Sequence, residues 1–180
     1  MISVFNADDH PMLRKGITEL IIETEGLTWV GSAGNGNEAW EKLQSLQPNI
    51  AILDIEMPGM TGLDVAREVV GSDLPTKCIL LTLFKDAMFF NNALAIGVKG
   101  YLLKESTEKE IIDCIHHVHA GKSYVNPELT HYLIDQNKIK SNILNKLSSQ
   151  EVNILKLIAK QKTTAEIASM LFISPKTVSN

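Results

Sequence analysis

The stretch Asn49-Ile50-Ala51-Ile52-Leu53-Asp54-Ile55-Glu56-Met57-Pro58-Gly59-Met60-Thr61-Gly62 decides the fold. Four apolar residues run straight into a lone carboxylate. Pro58 and two glycines, Gly59 and Gly62, then mark a turn. A short continuous apolar run bounded by turn residues is the pattern of a strand buried on both faces. Open α/β sheets gather their ligand chemistry at the C-terminal ends of such strands. Asp54 therefore falls on a sheet rim, at the end of a strand that burial holds rigid. An aspartate in this place serves equally well as a turn or helix-capping residue, so its meaning rests on the rest of the chain.

Outward from this strand, apolar runs alternate with helical patterns. Ile2–Ala7 reads as a strand with Asn6 as a polar interruption, ending in Asp8-Asp9-His10-Pro11. Met12 to Ile22 carries Leu13, Ile17, Leu20 and Ile21 on one helical face. Leu27–Ala33 is a strand, and Asn37 is placed to cap a helix through Leu46. A helix from Gly62 to Val70 precedes a strand at Lys77–Thr82; a helix from Asp86 to Ile96 precedes a short strand at Lys99–Leu103, followed by Lys104. Thr107 and Glu110 form a capping box for a helix closed by Gly121. Five strands alternating with helices predict an α/β fold with a five-stranded parallel, doubly wound, flavodoxin-like sheet.

The polar residues at the ends of these strands form one set. Asp8 and Asp9 follow the first strand, Asp54 ends the third, Thr82 ends the fourth and Lys104 follows the fifth. In a parallel sheet these ends share a rim. Three crowded carboxylates repel one another and call for a cation. Oxygen donors without His or Cys favour Mg²⁺. Asp54 is then a nucleophile toward a phosphoryl group, with Lys104 as a second positive charge and Thr82 as a hydroxyl donor.

Through Asp8-Asp9-His10-Pro11, Ile52 to Gly62, Leu81-Thr82 and Lys99 to Lys104, residues 1–120 resemble the receiver domain of bacterial two-component response regulators. The resemblance implies that Asp54 is the phosphoacceptor, supplied by the phosphohistidine of a sensor histidine kinase. It implies that Asp9, Asp54 and the backbone carbonyl of Glu56, with Asp8 partly through water, hold Mg²⁺. Thr82 and Tyr101 match the pair that rearranges on phosphorylation, and a homodimer is expected to follow that event. A phosphate adds about −1.5 to −2 charge and three acceptors, which draws Thr82 inward and lets Tyr101 fill the space. Leu83-Phe84-Lys85 departs from the small or acidic residues usual after the threonine. The bulk of Phe84 is expected to bear on the phosphoryl lifetime.

Residues 121–145 read as a linker containing a helix opened by Pro127, and 146–180 as a small all-α domain. Ser148 with Glu151 and Thr163 with Glu166 are capping boxes; Ser174-Pro175 opens a third helix. Leu147 to Glu151 and Ser174 to Val178, with Leu155, Ile158, Ala159, Ile167, Ala168 and Leu171, resemble the LuxR-type helix-turn-helix. With the receiver this makes the NarL/FixJ class. Gln161 replaces its usual glycine. The resemblance places Lys176, Ser179 and Asn180 where the class contacts DNA. It also implies that the helix starting at Ser174 continues past Asn180, so the domain is expected to be incomplete here and the chain part of a longer regulator.

Charge agrees with two parts. Residues 1–137 hold ten Lys/Arg against nineteen Asp/Glu, and residues 138–180 seven lysines against two glutamates. The basic second part suits an anionic partner such as DNA. No apolar run approaches the roughly 20 residues that cross a bilayer, Met1 to Phe5 lack the basic region expected of a signal peptide, and Cys78 and Cys114 sit in apolar segments as expected of buried thiols in a reducing cytoplasm. His116 and His119 share a helix face, and with His117 they read as surface residues without a partner that would complete a metal site. Two rivals stand beside a phosphorylation switch. One is a Mg²⁺-dependent phosphatase with an aspartyl nucleophile, whose second aspartate would fall where Glu56 stands. The other is a receiver that acts by protein docking alone.

Overall fold

The computed structural model describes residues 1–83, 87–127, 129–130, 154, 157, 162–171 and 174. The chain divides into two compact units, Met1–Leu133 and Ile134–Asn180. The first holds a parallel sheet of strands β1 (Ile2–Ala7), β2 (Leu27–Ala33), β3 (Ile50–Asp54), β4 (Lys77–Thr82), β5 (Gly100–Leu103) and β6 (Tyr124–Val125), in the order β2-β1-β3-β4-β5-β6. Helices α1 (Pro11–Glu23), α2 (Gly36–Leu46), α3 (Gly62–Gly71), α4 (Ala87–Ile96) and α5 (Glu108–His119) make the crossovers. The doubly wound fold is the one predicted, with a sixth strand added. That strand is two residues long, bonded through Tyr124 N to the Lys99 carbonyl and Asn126 N to the Tyr101 carbonyl.

Side-chain alternation divides the core between the two sheet faces. Ile50, Ile52, Ile79, Leu81 and Leu102 pack with Ile17 and Ile21 of α1 and Ile111, Ile115 and Val118 of α5. Ala51, Leu53, Leu80 and Tyr101 pack with Leu43 of α2, Val65 and Val69 of α3 and Ala93 of α4. All five residues of β3 are buried, and each large apolar side chain there contributes about 1.5–3 kcal/mol. Asn6 is not a flaw in β1. Its amide donates to the Arg14 carbonyl (2.9 Å) and its Oδ1 accepts from Trp29 Nε1 (3.1 Å) and Thr18 Oγ1 (3.3 Å), tying β1 to α1 and β2.

The rim at the N-terminal ends of the strands is closed by polar ties. Ser3 N and Oγ both donate to Asn49 Oδ1 at 3.0 Å, and buried Thr76 donates to the Pro48 carbonyl at 2.6 Å. The capping boxes predicted at Thr107–Glu110 and Thr163–Glu166 are present, and another forms at Thr61–Asp64. The cap of α2 is Asn35 rather than Asn37: its side chain accepts from Glu38 N. The reason is Gly36. A Cβ there would land on the Met60 carbonyl, so only glycine fits the first position of this helix. In the second unit, α6 (Thr164–Leu171) buries Ile167 and Ala168. Ser148, Glu151, Gln161 and the helix expected from Pro175 lie outside the described residues, as does Phe84.

Gly62 fixes the turn after β3. Its N–H donates to the Ile55 carbonyl at 3.0 Å, and a Cβ on it would strike the Asp54 carbonyl, which is backbone and cannot step aside. Gly16, on the exposed side of α1, has nothing within 4 Å of such a Cβ. Gly62→Ala should therefore lose about 1–3 kcal/mol, whereas Gly16→Ala should gain about 0.5–1 kcal/mol. Urea midpoints at constant m-value measure both, and equal shifts of the two variants would refute the assignment of Gly62.

Candidate functional site

The C-terminal rim brings four charged side chains together. Asp8 follows β1 and Asp54 ends β3; both are 1% exposed. Lys104 follows β5, where its backbone N–H donates to the Thr82 carbonyl at 2.7 Å and so prolongs the pairing of β4 with β5. Its side chain is 6% exposed and its Nζ lies 2.9 Å from Asp8 Oδ2 and 2.8 Å from Asp54 Oδ2. Asp9 stands beside them, half-buried. The ends of β1, β3 and β5 thus bring Asp8, Asp9, Asp54 and Lys104 into one cluster.

The turn after Asp54 is held by its own side chain. Glu56 N donates to Asp54 Oδ1 at 3.2 Å and Ile55 N to the Leu81 carbonyl at 3.0 Å. Glu56 itself is exposed. Thr82 is buried one residue past Leu81, the register partner of Asp54, so it occupies the same rim on the neighbouring strand. Tyr101 pairs in register with Leu80, below the rim. It is buried, with its ring edge-on to Phe90 of α4 at 5.3 Å. Thr82 and Tyr101 share the sheet face that carries α4. Lys176, Ser179 and Asn180 lie outside the described residues.

Sequence reasoning missed two neighbours. Arg14 of α1 donates from its guanidinium to the Asp8 carbonyl at 2.6 Å, bracing the end of β1. The second is His10, which adds a nitrogen to a cluster expected to be oxygen-only. The His10 backbone N–H donates to Asp8 Oδ1 at 2.8 Å, and this tight turn folds the ring back over the carboxylates. Its Nδ1 lies 2.7 Å from Asp9 Oδ1. The adjacency of His10 to Asp8-Asp9 was the one available signal. His116, His117 and His119 are exposed as expected, with His117 Nδ1 on the Asp113 carbonyl. Cys78 and Cys114 are buried and free; burial pushes the Cys78 thiol up to about 12.

Three carboxylates face one ammonium here, which leaves an excess of negative charge in a largely buried place. Asp8, Asp9, His10 and Asp54 each offer a ligand atom, all within 4.8 Å of one another, and no other such group occurs among the described residues. A divalent cation would offset this excess, and the oxygen-rich donor set fits Mg²⁺. Burial pushes the Asp54 carboxyl up to about 6, against the opposing pull of Lys104; the Asp8 charge adds to the rise. The group remains ionised at neutral pH, yet more basic than a free aspartate.

That shift has a sign. Below the ordinary value of 3.8 the carboxyl is protonated folded or unfolded and imposes no penalty. Above about 6 it is charged in both states and the folded state bears the cost, about 3 kcal/mol for a rise of this size. In chelator, Asp54→Asn should raise the unfolding free energy near pH 7.5 by about 1–3 kcal/mol, a gain that fades toward pH 4. Denaturant unfolding across that pH range checks it; a pH-independent gain would sink the assignment.

Comparison with known proteins gives the family. Residues 4–116 match the response regulator receiver domain, and residues 145–180 the luxR family of bacterial regulatory proteins. The transcriptional regulatory protein DesR of Bacillus subtilis is 38% identical over 180 residues, spanning 100% of this chain and 86% of that protein. The oxygen regulatory protein NreC of Staphylococcus carnosus is 34% identical over 181 residues, 96% of this chain and 83% of its own. Among solved structures, a LuxR-family DNA-binding response regulator from Staphylococcus aureus superposes with a TM-score of 0.64 at 36% identity, covering 66% of this chain and 99% of that one.

Proposed function

Since this chain belongs to the two-component response regulators of the NarL/FixJ class, with a receiver and a LuxR-type DNA-binding domain, we propose that Asp54 is its phosphoacceptor. The observation that carries this reading is the placement of Asp54: a buried, basic carboxylate at the end of β3, 2.8 Å from Lys104 and beside Asp8. The donor is the phosphohistidine of a sensor histidine kinase. An Asp54 carboxylate oxygen attacks phosphorus, the new O–P bond forms as the P–N bond breaks, and the bonding pair leaves with the imidazole nitrogen.

Each neighbour has a task. Asp8, Asp9 and Asp54, with the Glu56 carbonyl, would hold Mg²⁺, which when bound offsets the charge of the phosphoryl oxygens. Lys104 gives up its pairing with the Asp54 carboxylate for one with the phosphoryl group. Thr82 supplies a hydroxyl from the adjacent strand end. Movement of Thr82 toward the phosphoryl group frees space on the face it shares with Tyr101, biasing a two-state surface around α4 and β5. Tyr101 is buried here, so exchange between states is a change in what its ring packs against.

In this reading residues 1–120 receive the signal, 121–145 connect, and 146–180 act on DNA through Lys176, Ser179 and Asn180. The phosphorylated form is a homodimer, and the chain works in the cytoplasm. No helix among the described residues is long and apolar enough to cross a membrane. The chain is modified once per cycle and does not turn over small phosphate esters, unlike an aspartyl-nucleophile phosphatase.

Incubation with Mg²⁺ and acetyl phosphate should place one phosphoryl group on the wild-type chain and none on Asp54→Asn, read by intact-protein mass. Phosphorylation of that variant to the wild-type level would refute Asp54 as acceptor. In light scattering, a beryllofluoride mimic with Mg²⁺ should shift the wild type toward a dimer and leave Asp54→Asn unchanged. Sustained multiple turnovers on a small phosphate ester would instead favour the phosphatase.

A further inference from the structure

Resting on the reading of the rim as a cation site, we infer that His10 is a nitrogen ligand of that site and biases it toward divalent transition ions over Mg²⁺. The ring is not spent elsewhere. His10 occupies the N-cap position of α1, yet its side chain makes no capping hydrogen bond. The turn closed by its backbone N–H on Asp8 Oδ1 directs Nδ1 into the cluster, 2.7 Å from Asp9 Oδ1, 3.2 Å from Asp8 Oδ1 and 3.5 Å from Lys104 Nζ.

The four ligand atoms of Asp8, Asp9, His10 and Asp54 already lie within 4.8 Å of one another. Ligands on opposite sides of an ion with bonds of about 2.1 Å are about 4.2 Å apart, so closure on an ion needs shifts of about half an ångström. With its hydrogen on Nδ1 the ring donates to Asp8 Oδ1 at 3.2 Å; with the hydrogen on Nε2 the Nδ1 lone pair is offered to the cation. The ring is 61% exposed and can exchange between these tautomers through water. No net proton is gained or lost.

The consequence follows from donor softness. Mg²⁺ prefers oxygen and keeps its waters, whereas affinity for imidazole rises along the first transition row. A nitrogen in place of one water therefore strengthens Co²⁺ or Mn²⁺ binding with little gain for Mg²⁺. His10 becomes a specificity residue of the rim, while the carboxylates hold either ion.

Calorimetric titration with Co²⁺ and with Mg²⁺, on the full chain, tests this in a His116→Asn/His119→Asn background that removes the exposed α5 pair. His10→Asn should lower the Co²⁺:Mg²⁺ affinity ratio about tenfold, with Mg²⁺ affinity nearly unchanged. Electron spin echoes of the Mn²⁺-loaded chain should show nitrogen modulation that disappears in the variant. An unchanged ratio and no nitrogen modulation in the His10-containing chain, with both ions still bound, would overturn the proposal and leave His10 as a hydrogen-bond partner of Asp8. Failure of either ion to bind more tightly than to Asp9→Asn would overturn the cation site as well.

Discussion

A lysine ammonium held between two buried carboxylates is the interaction on which the rim depends. Lys104 reaches from the end of β5 to Asp54 and Asp8, two and three strands away in the sheet. Burial of three charges costs several kcal/mol per ion before pairing recovers part of it. The pairing is incomplete, since Asp9 adds a further negative charge beside it. Such a site contributes little to stability, and its excess negative charge favours whatever supplies positive charge to the carboxylates.

The fold delivers that arrangement with few moving parts. Parallel strands put Asp8, Asp54, Thr82 and Lys104 at one end without any contact between them in sequence. Hydrogen bonds from Ile55 N to the Leu81 carbonyl and from Lys104 N to the Thr82 carbonyl extend the sheet past its strand ends, so the rim side chains stand on ordered backbone. Alternation then separates tasks. Asp54 shares its parity with Ile50 and Ile52, while Thr82 and Tyr101 share the opposite face with α4. The ends of neighbouring strands β3 and β4 thus face opposite sides of the sheet.

Much of this is legible in the sequence because it follows from periodicity. The run Ile50 to Leu53, short and followed by turn residues, reads as a buried strand, and the positions of Asp8, Asp9, Asp54 and Lys104 follow once the sheet is parallel. What escapes is set by contacts between distant segments or by a single turn. Asn35 and Asn37 are equally good caps on paper; the approach of Gly36 to the Met60 carbonyl chooses between them. Asn6 looks out of place until Arg14, Thr18 and Trp29 are seen around it. β6 is too short to show a period. The inward fold of His10 depends on one backbone hydrogen bond to Asp8, which no pattern of residue types announces.

The two rims of the sheet differ in a way that has its own consequence. At the N-terminal rim, Ser3 with Asn49 and Thr76 with Pro48 pair polar groups without net charge. At the C-terminal rim, charges of one sign outnumber their partners. Local preference and global fold agree at one edge and conflict at the other. In the language of energy landscapes, frustration is confined to a single edge of an otherwise consistent structure. Confinement of this kind keeps the unrelieved charge from disturbing the core, because the opposite edge holds the strands in register through neutral ties.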